Sequence, residues 1–147
     1  MCATDSRDYT LDISEPLFRL TTEGIRLHSN ETLHHRTLSE LIDQRAPLTA
    51  KIKSHDKSTI KQHFTSIPSG GDIRIHLTIS DSSAMNLDNA KELLGVVLDS
   101  EVSLADALSA LLFDYVVEQK AARVLEKINS DNSKTRRPQD TVNGASD

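Results

Sequence analysis

The nine residues Asp72–Ser80, "DIRIHLTIS", alternate strictly between polar and apolar side chains. Successive side chains of a strand point to opposite faces, so this stretch predicts one β-strand. The polar face of the strand carries Arg74, His76, Thr78 and Ser80. It is the only strand that we predict, and a lone strand cannot satisfy its own backbone N–H and C=O groups. The sequence therefore requires a partner for this strand.

Two helices are predicted after the strand. Ser80 or Asp81 can cap the first, because both residue types accept hydrogen bonds from first-turn N–H groups. Its apolar side chains recur at three- and four-residue steps: Leu87, Ala90, Leu94, Val97 and Leu98. The second helix opens at Ser103, with Asp106 three residues later as in a capping box. From Leu104 to Val117 it is apolar on almost every side, which predicts burial on every side.

The chain before the strand carries weaker patterns. Residues 1–29 show no sustained period, so we predict a loosely ordered segment with a short helix at Glu15–Leu20. Residues 30–67 are predicted as a short helical region, in which one helix begins after the N-cap Asn30 and ends at Pro47. A second short helix is indicated by Ile60, Phe64 and Ile67, with Pro68 after it.

The C-terminal segment, residues 129–147, contains a single large apolar side chain, Val142. Such a segment buries too little to offset its ordering entropy, so we predict a disordered tail. Residues 72–128 then form the central module of strand, helix and helix.

The order of strand, amphipathic helix, short break and apolar helix resembles the ribbon-helix-helix superfamily of DNA-binding dimers. The resemblance covers residues 72–128. It implies that the strand pairs antiparallel with its copy in a second chain and that the second helices interlock, giving a homodimer. The expected fold class is mostly α with one short β-strand, ribbon-helix-helix-like, preceded by two short helices and followed by a disordered tail.

A narrower likeness concerns "LDNAKELL", Leu87–Leu94, which is similar to the helical segment preceding the nuclease module in some bacterial HNH-endonuclease-like proteins. The stretches "LSELID", Leu38–Asp43, and "KSTIKQHF", Lys57–Phe64, fall where the upstream helices of that segment lie. The nuclease module itself needs histidine around a metal, and no histidine or cysteine follows Ile128. We therefore do not transfer nuclease activity. No pairing of a serine or of Cys2 with a base is visible in the sequence, nor is a Gly-rich phosphate loop, so we expect no enzyme activity, no cofactor and no metal site.

The ribbon-helix-helix resemblance also implies DNA-binding positions. Its base-reading residues are alternate strand residues that enter the major groove, which correspond here to Arg74, His76 and Thr78. Its phosphate seat is the N-terminus of the second helix, which corresponds to Ser103. The alternative interpretation is that the three strand residues form the solvated face of a two-stranded ribbon.

The charge distribution is unfavourable for DNA binding. The chain has a formal net charge of −5, and residues 72–128 carry ten acidic against five basic side chains. Phosphate backbones are captured mainly by lysine and arginine. A second, basic patch consists of Lys51, Lys53, Lys57 and Lys61. If these lysines fold onto the side of Arg74 and His76, DNA binding is favoured, whereas opposite sides favour protein interaction.

Two functions follow. The first is a non-enzymatic, dimeric DNA-binding protein, either a regulator or a DNA-associated remnant of an HNH-nuclease-like family. The alternative is an acidic dimerisation or protein-interaction module that docks a basic partner and does not bind DNA.

Composition sets the remaining expectations. No apolar run is long enough to cross a bilayer and no secretory signal is visible, so we expect a cytoplasmic protein without a membrane partner. Cys2 is the only cysteine, which excludes an internal disulfide. The closely spaced histidines His28, His34 and His35 have no metal-binding spacing and are predicted to be solvated.

Overall fold

The computed structural model describes residues 5–146 of the chain, with side chains as far as Ser130. It is mostly helical and holds one two-stranded antiparallel sheet. The elements are β1 (Ser6–Ile13), α1 (Glu15–Thr32), α2 (Leu38–Arg45), a 3₁₀ segment (Ala46–Ser54), α3 (Lys57–Ser66), β2 (Ile73–Ser80), α4 (Asp81–Leu98) and α5 (Leu104–Ser146). The chain divides into two compact units, Met1–Val116 and Val117–Asp147.

The predicted strand exists as β2, but its partner lies in the same chain. β1 pairs antiparallel with β2 along its whole length, from Ser6 opposite Ser80 to Ile13 opposite Ile73. The expectation of one strand is therefore wrong, since the described residues contain two. It follows that β2 does not need a second chain to satisfy the backbone groups on this edge.

The second edge of β2 is covered by α2. Thr78 and Ser80 donate their backbone N–H groups to Ser39 Oγ at 3.4 Å and to Asp43 Oδ1 at 3.0 Å. Asp43 Oδ1 also accepts from the hydroxyls of Ser80 and Ser83, so it ties the end of β2 to the first turn of α4. An antiparallel ribbon with a second copy of β2 would displace either β1 or α2.

The N-terminal segment is ordered where the structure describes it, contrary to the expectation for residues 1–29. Residues 6–13 form β1, and α1 starts at Glu15 after Ser14, whose Oγ accepts from Leu17 N at 3.1 Å. The predicted helix at Glu15–Leu20 is thus the first part of a much longer one. Gly71 packs against the β1–α1 junction, because a Cβ on it would overlap the backbone of Ile13 and Ser14.

The predicted helix start at Asn30 is wrong, since Asn30 lies inside α1. The chain leaves α1 at Leu33, which adopts a left-handed conformation with φ of 59°. A new helix, α2, begins after Thr37, which forms a reciprocal capping box with Glu40. The pattern Thr-x-x-Glu is a start signal in its own right, and it outweighs an isolated Asn N-cap.

The helices α3, α4 and the start of α5 agree with the predictions from periodicity. α3 ends before Pro68, Ser80 caps α4, and the backbone N–H of Ser103 and of Asp106 each donate to the other's side chain at the start of α5. The buried part of α5, from Ala107 to Val116, lies in a core shared with α1 to α4 and β2. The surface that favoured an interlocked dimer is therefore buried within one chain.

Residues 129–147 were predicted to form a disordered tail. The backbone of residues 129–146 continues α5, and the side chains of Asn129 and Ser130 are exposed. The other side chains of this tail lie outside the described residues, so its disorder stays a prediction. No helix among the described residues is long and apolar enough to span a membrane.

Candidate functional site

The three strand residues predicted to read DNA lie side by side on the exposed face of the sheet, and each contacts β1. Arg74 donates to both carboxylate oxygens of Asp12, at 2.9 and 3.3 Å. Thr78 Oγ1 donates to Asp8 Oδ1 at 2.7 Å. His76 Nδ1 lies 3.3 Å from Thr10 Oγ1. The polar groups of this face are therefore engaged within the ribbon.

The electrostatics of this face are set by two carboxylates on β1. Hydrogen bonds from Arg74 lower the pKa of Asp12, and the same bonds raise the pKa of Arg74. With Asp8 beside Thr78, the face carries two acidic groups against one arginine. A DNA backbone would meet a face that is, on balance, negative.

The predicted phosphate seat at Ser103 is occupied by a side chain of the protein. Asp106 Oδ2 accepts from Ser103 N at 3.0 Å, and Asp106 Oδ1 accepts from Ser69 Oγ at 2.5 Å. The carboxylate thus takes the place at the helix N-terminus that an anion would use.

The four lysines of the predicted basic patch do not share a face with Arg74 and His76. Lys51 and Lys53 belong to the 3₁₀ segment, and Lys57 and Lys61 belong to α3. Both elements bury an isoleucine, Ile52 and Ile60, in the core beneath the apolar face of the sheet. Both elements therefore pack on the apolar side of the sheet, whereas Arg74 and His76 lie on its polar face.

Among the side chains that the structure describes, the largest set of exposed apolar residues on one helix face lies on α5. Val117, Val124, Leu125 and Ile128 are between 39% and 61% exposed. Together with Ala121, they fall within an arc of about 100° at 3.6 residues per turn. We call Val117, Ala121, Val124, Leu125 and Ile128 the α5 stripe.

The α5 stripe has a basic side. At 100° per residue, Lys120, Arg123 and Lys127 all project on the same flank of the stripe. The opposite flank begins with Glu118 and has no basic residue as far as Ser130. One flank of the stripe is therefore positively charged, although residues 72–128 as a whole contain more acidic than basic side chains.

A buried ionic cluster joins the 3₁₀ segment and α2 to the centre of α5. Asp114 accepts from Arg45 Nη2 at 3.1 Å, and its other carboxylate oxygen lies 2.8 Å from His55 Nε2. The guanidinium of Arg45 lies 5.0 Å from the centroid of the Tyr115 ring. Sequence reasoning missed this cluster, because it considered Leu104 to Val117 only as a helix that is apolar on almost every side.

Two histidines also pack against the centre of α5. His63 Nε2 lies 2.7 Å from Ser109 Oγ, and its ring is 4.4 Å from the ring of Phe113. Burial lowers the pKa of His63, and the hydrogen bond with Ser109 opposes this in part. His28, predicted to be solvated, is buried against Tyr115, whereas His34 and His35 are exposed.

The chain was compared with protein-family models, with curated proteins and with solved structures, and none of them matches it. Among the described residues, no three His, Cys, Asp or Glu side chains gather in a way that could hold a metal ion.

Proposed function

We propose that this protein is an interaction module in which the α5 stripe docks against an amphipathic helix of another protein. The observation that carries the proposal is the row of exposed aliphatic side chains on one face of α5. Helices that dock in this way present anchors at three- and four-residue steps, and Val117, Ala121, Val124 and Ile128 have that spacing.

The partner is expected to carry acidic residues beside its apolar seam, because Lys120, Arg123 and Lys127 flank the stripe on one side. The basic partner expected from the net charge of residues 72–128 is thereby replaced by an acidic one. We choose an acidic partner because the charges next to the apolar contact influence helix pairing more than the net charge of a domain does.

A second copy of the chain would bind the stripe less well than an acidic partner helix. If two copies paired antiparallel, Lys120 would face Lys127 of the other copy. If they paired in parallel, Lys120 would face Leu125, so that no ion pair would form. Two copies would bury eight partly exposed aliphatic side chains, which contributes roughly 6–12 kcal/mol at about 1.5–3 kcal/mol for each complete burial. Association costs about 4–15 kcal/mol, so self-pairing without ion pairs between the flanks would be weak.

The test uses designed helical peptides with leucine along the seam and either glutamate or lysine on the flanks. Fluorescence anisotropy should show binding of the glutamate peptide and much weaker binding of the lysine peptide. Val124→Ser should raise the Kd of the glutamate peptide about tenfold, because it removes one apolar anchor. Val96→Ser is the matched control, since Val96 is an exposed valine on α4 outside the stripe.

DNA binding through Arg74, His76 and Thr78 is the competing proposal, and a labelled DNA duplex completes the set of probes. The interaction proposal expects no binding of the duplex at low salt. Duplex binding that Arg74→Ala weakens, with neither peptide bound, would replace it with the DNA proposal. Equal binding of both peptides would also contradict the proposed acidic partner.

A further inference from the structure

A polar cavity of about 320 Å³ lies between α1, α2 and the buried part of α5. Each residue that lines it has a polar or charged side chain, including His28, Glu31, Arg36, Arg45 and Tyr115. Its size is at the lower end of the range for small-molecule sites. It shares no lining residue with the α5 stripe, and nothing in the proposed interaction uses it.

His28 brings to the cavity a polar atom that has no hydrogen-bond partner in the described part of the chain. The His28 side chain is 6% exposed, and its Nδ1 has no hydrogen-bond partner among the described residues. Nδ1 lies 3.8 Å from Glu31 Oε1, which is too far for a direct hydrogen bond. A donor atom placed about 2.8 Å from both atoms would fit between them. We place the ring proton on Nε2, which makes Nδ1 an acceptor, and a ligand that supplies a donor would then satisfy it.

Glu31 can share such a donor. Its Oε1 already accepts from Tyr115 Oη at 2.9 Å. A carboxylate offers about four lone-pair positions, so Glu31 can accept from a ligand in addition to its protein partners. The Tyr115 ring packs edge-on against His28, which fixes the imidazole beside Glu31. An ammonium group, with three N–H donors, matches this pair of acceptors.

Arg36 supplies the opposite charge. Its Nε donates to Thr32 Oγ1 at 3.0 Å, and its Nη1 reaches Glu40 Oε2 only at 3.4 Å. A guanidinium has five N–H donors, so Arg36 keeps donors for an anion. Glu40 stays ionised because hydrogen bonding to Thr37, and to a smaller extent to Arg36, lowers its pKa. The planar fork of arginine binds a carboxylate, as it binds a phosphate, with two parallel hydrogen bonds.

We propose that this cavity binds a small amino acid as a zwitterion, with the ammonium group between Glu31 and His28 and the carboxylate on Arg36. The charges of the lining favour a ligand that carries both signs. A simple anion would be repelled by Glu31 and Glu40, and a simple cation would be repelled by Arg36.

The experiment is isothermal titration calorimetry of the full chain with glycine, L-alanine, L-leucine, L-glutamate, L-arginine and γ-aminobutyrate. At least one is expected to bind with a Kd below about 1 mM. Its methyl ester, which lacks the carboxylate, and its N-acetyl form, which lacks the ammonium, should each bind about tenfold more weakly, because each loses a charged hydrogen bond.

Variants locate the site. Glu31→Gln and Arg36→Gln should each raise the Kd about tenfold. Glu23→Gln and Arg26→Gln are the matched controls, since these residues form an ion pair on α1 and do not line the cavity. Arg36→Lys, which keeps the charge and loses the planar fork, should also weaken binding and serves if Arg36→Gln does not fold.

The proposal is overturned if none of the six amino acids binds, or if the ester or the N-acetyl form binds as tightly as the free amino acid. It is also overturned if the control variants weaken binding as much as the variants in the cavity. Each result leaves the docking proposal untouched, because the peptide assay reports on a different surface.

Discussion

At the scale of single residues, two polar side chains in the buried part of α5 explain how this almost wholly apolar part of the helix is placed in one orientation. Asp114 and Ser109 each meet a partner from an earlier element, Arg45 and His55 in one case and His63 in the other. A buried charge or hydroxyl is tolerated only when such partners are present. These contacts therefore fix the rotation of α5 in the core.

Replacing Asp114 with alanine should destabilise the protein by about 3–5 kcal/mol, because Arg45 and His55 would both lose their bond to this buried carboxylate. The measurement is urea unfolding followed by circular dichroism. Asp88→Ala, at an exposed position on α4, is the control and should change stability by less than about 0.5 kcal/mol. A loss below about 1 kcal/mol at Asp114 would show that the cluster contributes little.

His63 should make stability depend on pH. Burial lowers its pKa in the folded state, so the unfolded chain takes up the proton first as the pH falls. The contribution of neutral His63 is fully present above about pH 6.5 and is lost as the pH falls from there towards the lowered folded pKa. Urea unfolding from about pH 8 to about pH 5 should show a smaller loss of stability in His63→Gln than in wild type. His35→Gln, at an exposed histidine, should retain the wild-type slope, and equal slopes in all three proteins would contradict the prediction.

At the scale of elements, β1 shows what sequence patterns miss. Tyr9, Leu11 and Ile13 alternate with polar residues, which is a strand signal in itself. Two features weaken this signal. Arg7, a charged residue, lies on the inner face opposite Ile79. Asp8 and Asp12 lie on the outer face, and aspartate is disfavoured in strands. The strand forms because β2 offers a complementary edge from a distant part of the chain, and local sequence does not encode such a contact.

The elements with dense local signals were predictable. β2, α3, α4 and the start of α5 each combine a clear period with a cap or a breaker in the sequence. The α5 stripe also has its spacing in the sequence. The sequence does not tell whether such a stripe is covered, since coverage depends on how far the core extends along α5.

The edge of β2 gives the prediction at this scale. Asp43→Ala should destabilise the protein by about 1–3 kcal/mol, because Ser80 and Ser83 lose their shared acceptor. Differential scanning calorimetry should show a lower Tm, whereas Asp88→Ala should again be close to wild type. An unchanged Tm in Asp43→Ala would mean that α2 does not hold the edge of the sheet.

At the scale of the whole molecule, one chain supplies the contacts that were first expected from two. β1 and α2 cover the two edges of β2, and the apolar part of α5 is buried among elements of the same chain. The reasons for an obligate homodimer are thereby removed. Among the described residues, only the α5 stripe remains as a large apolar surface on one helix face. The basic residues on its flank are the reason why we propose an acidic partner rather than a second copy of the chain.

Sedimentation equilibrium at micromolar concentration, combined with thermal unfolding at several protein concentrations, tests most directly whether one chain completes the fold. We expect a folded monomer whose Tm does not change with protein concentration. A dimer that unfolds as it dissociates, with a Tm that rises with concentration, would contradict the fold completed within one chain and would restore the two-chain ribbon.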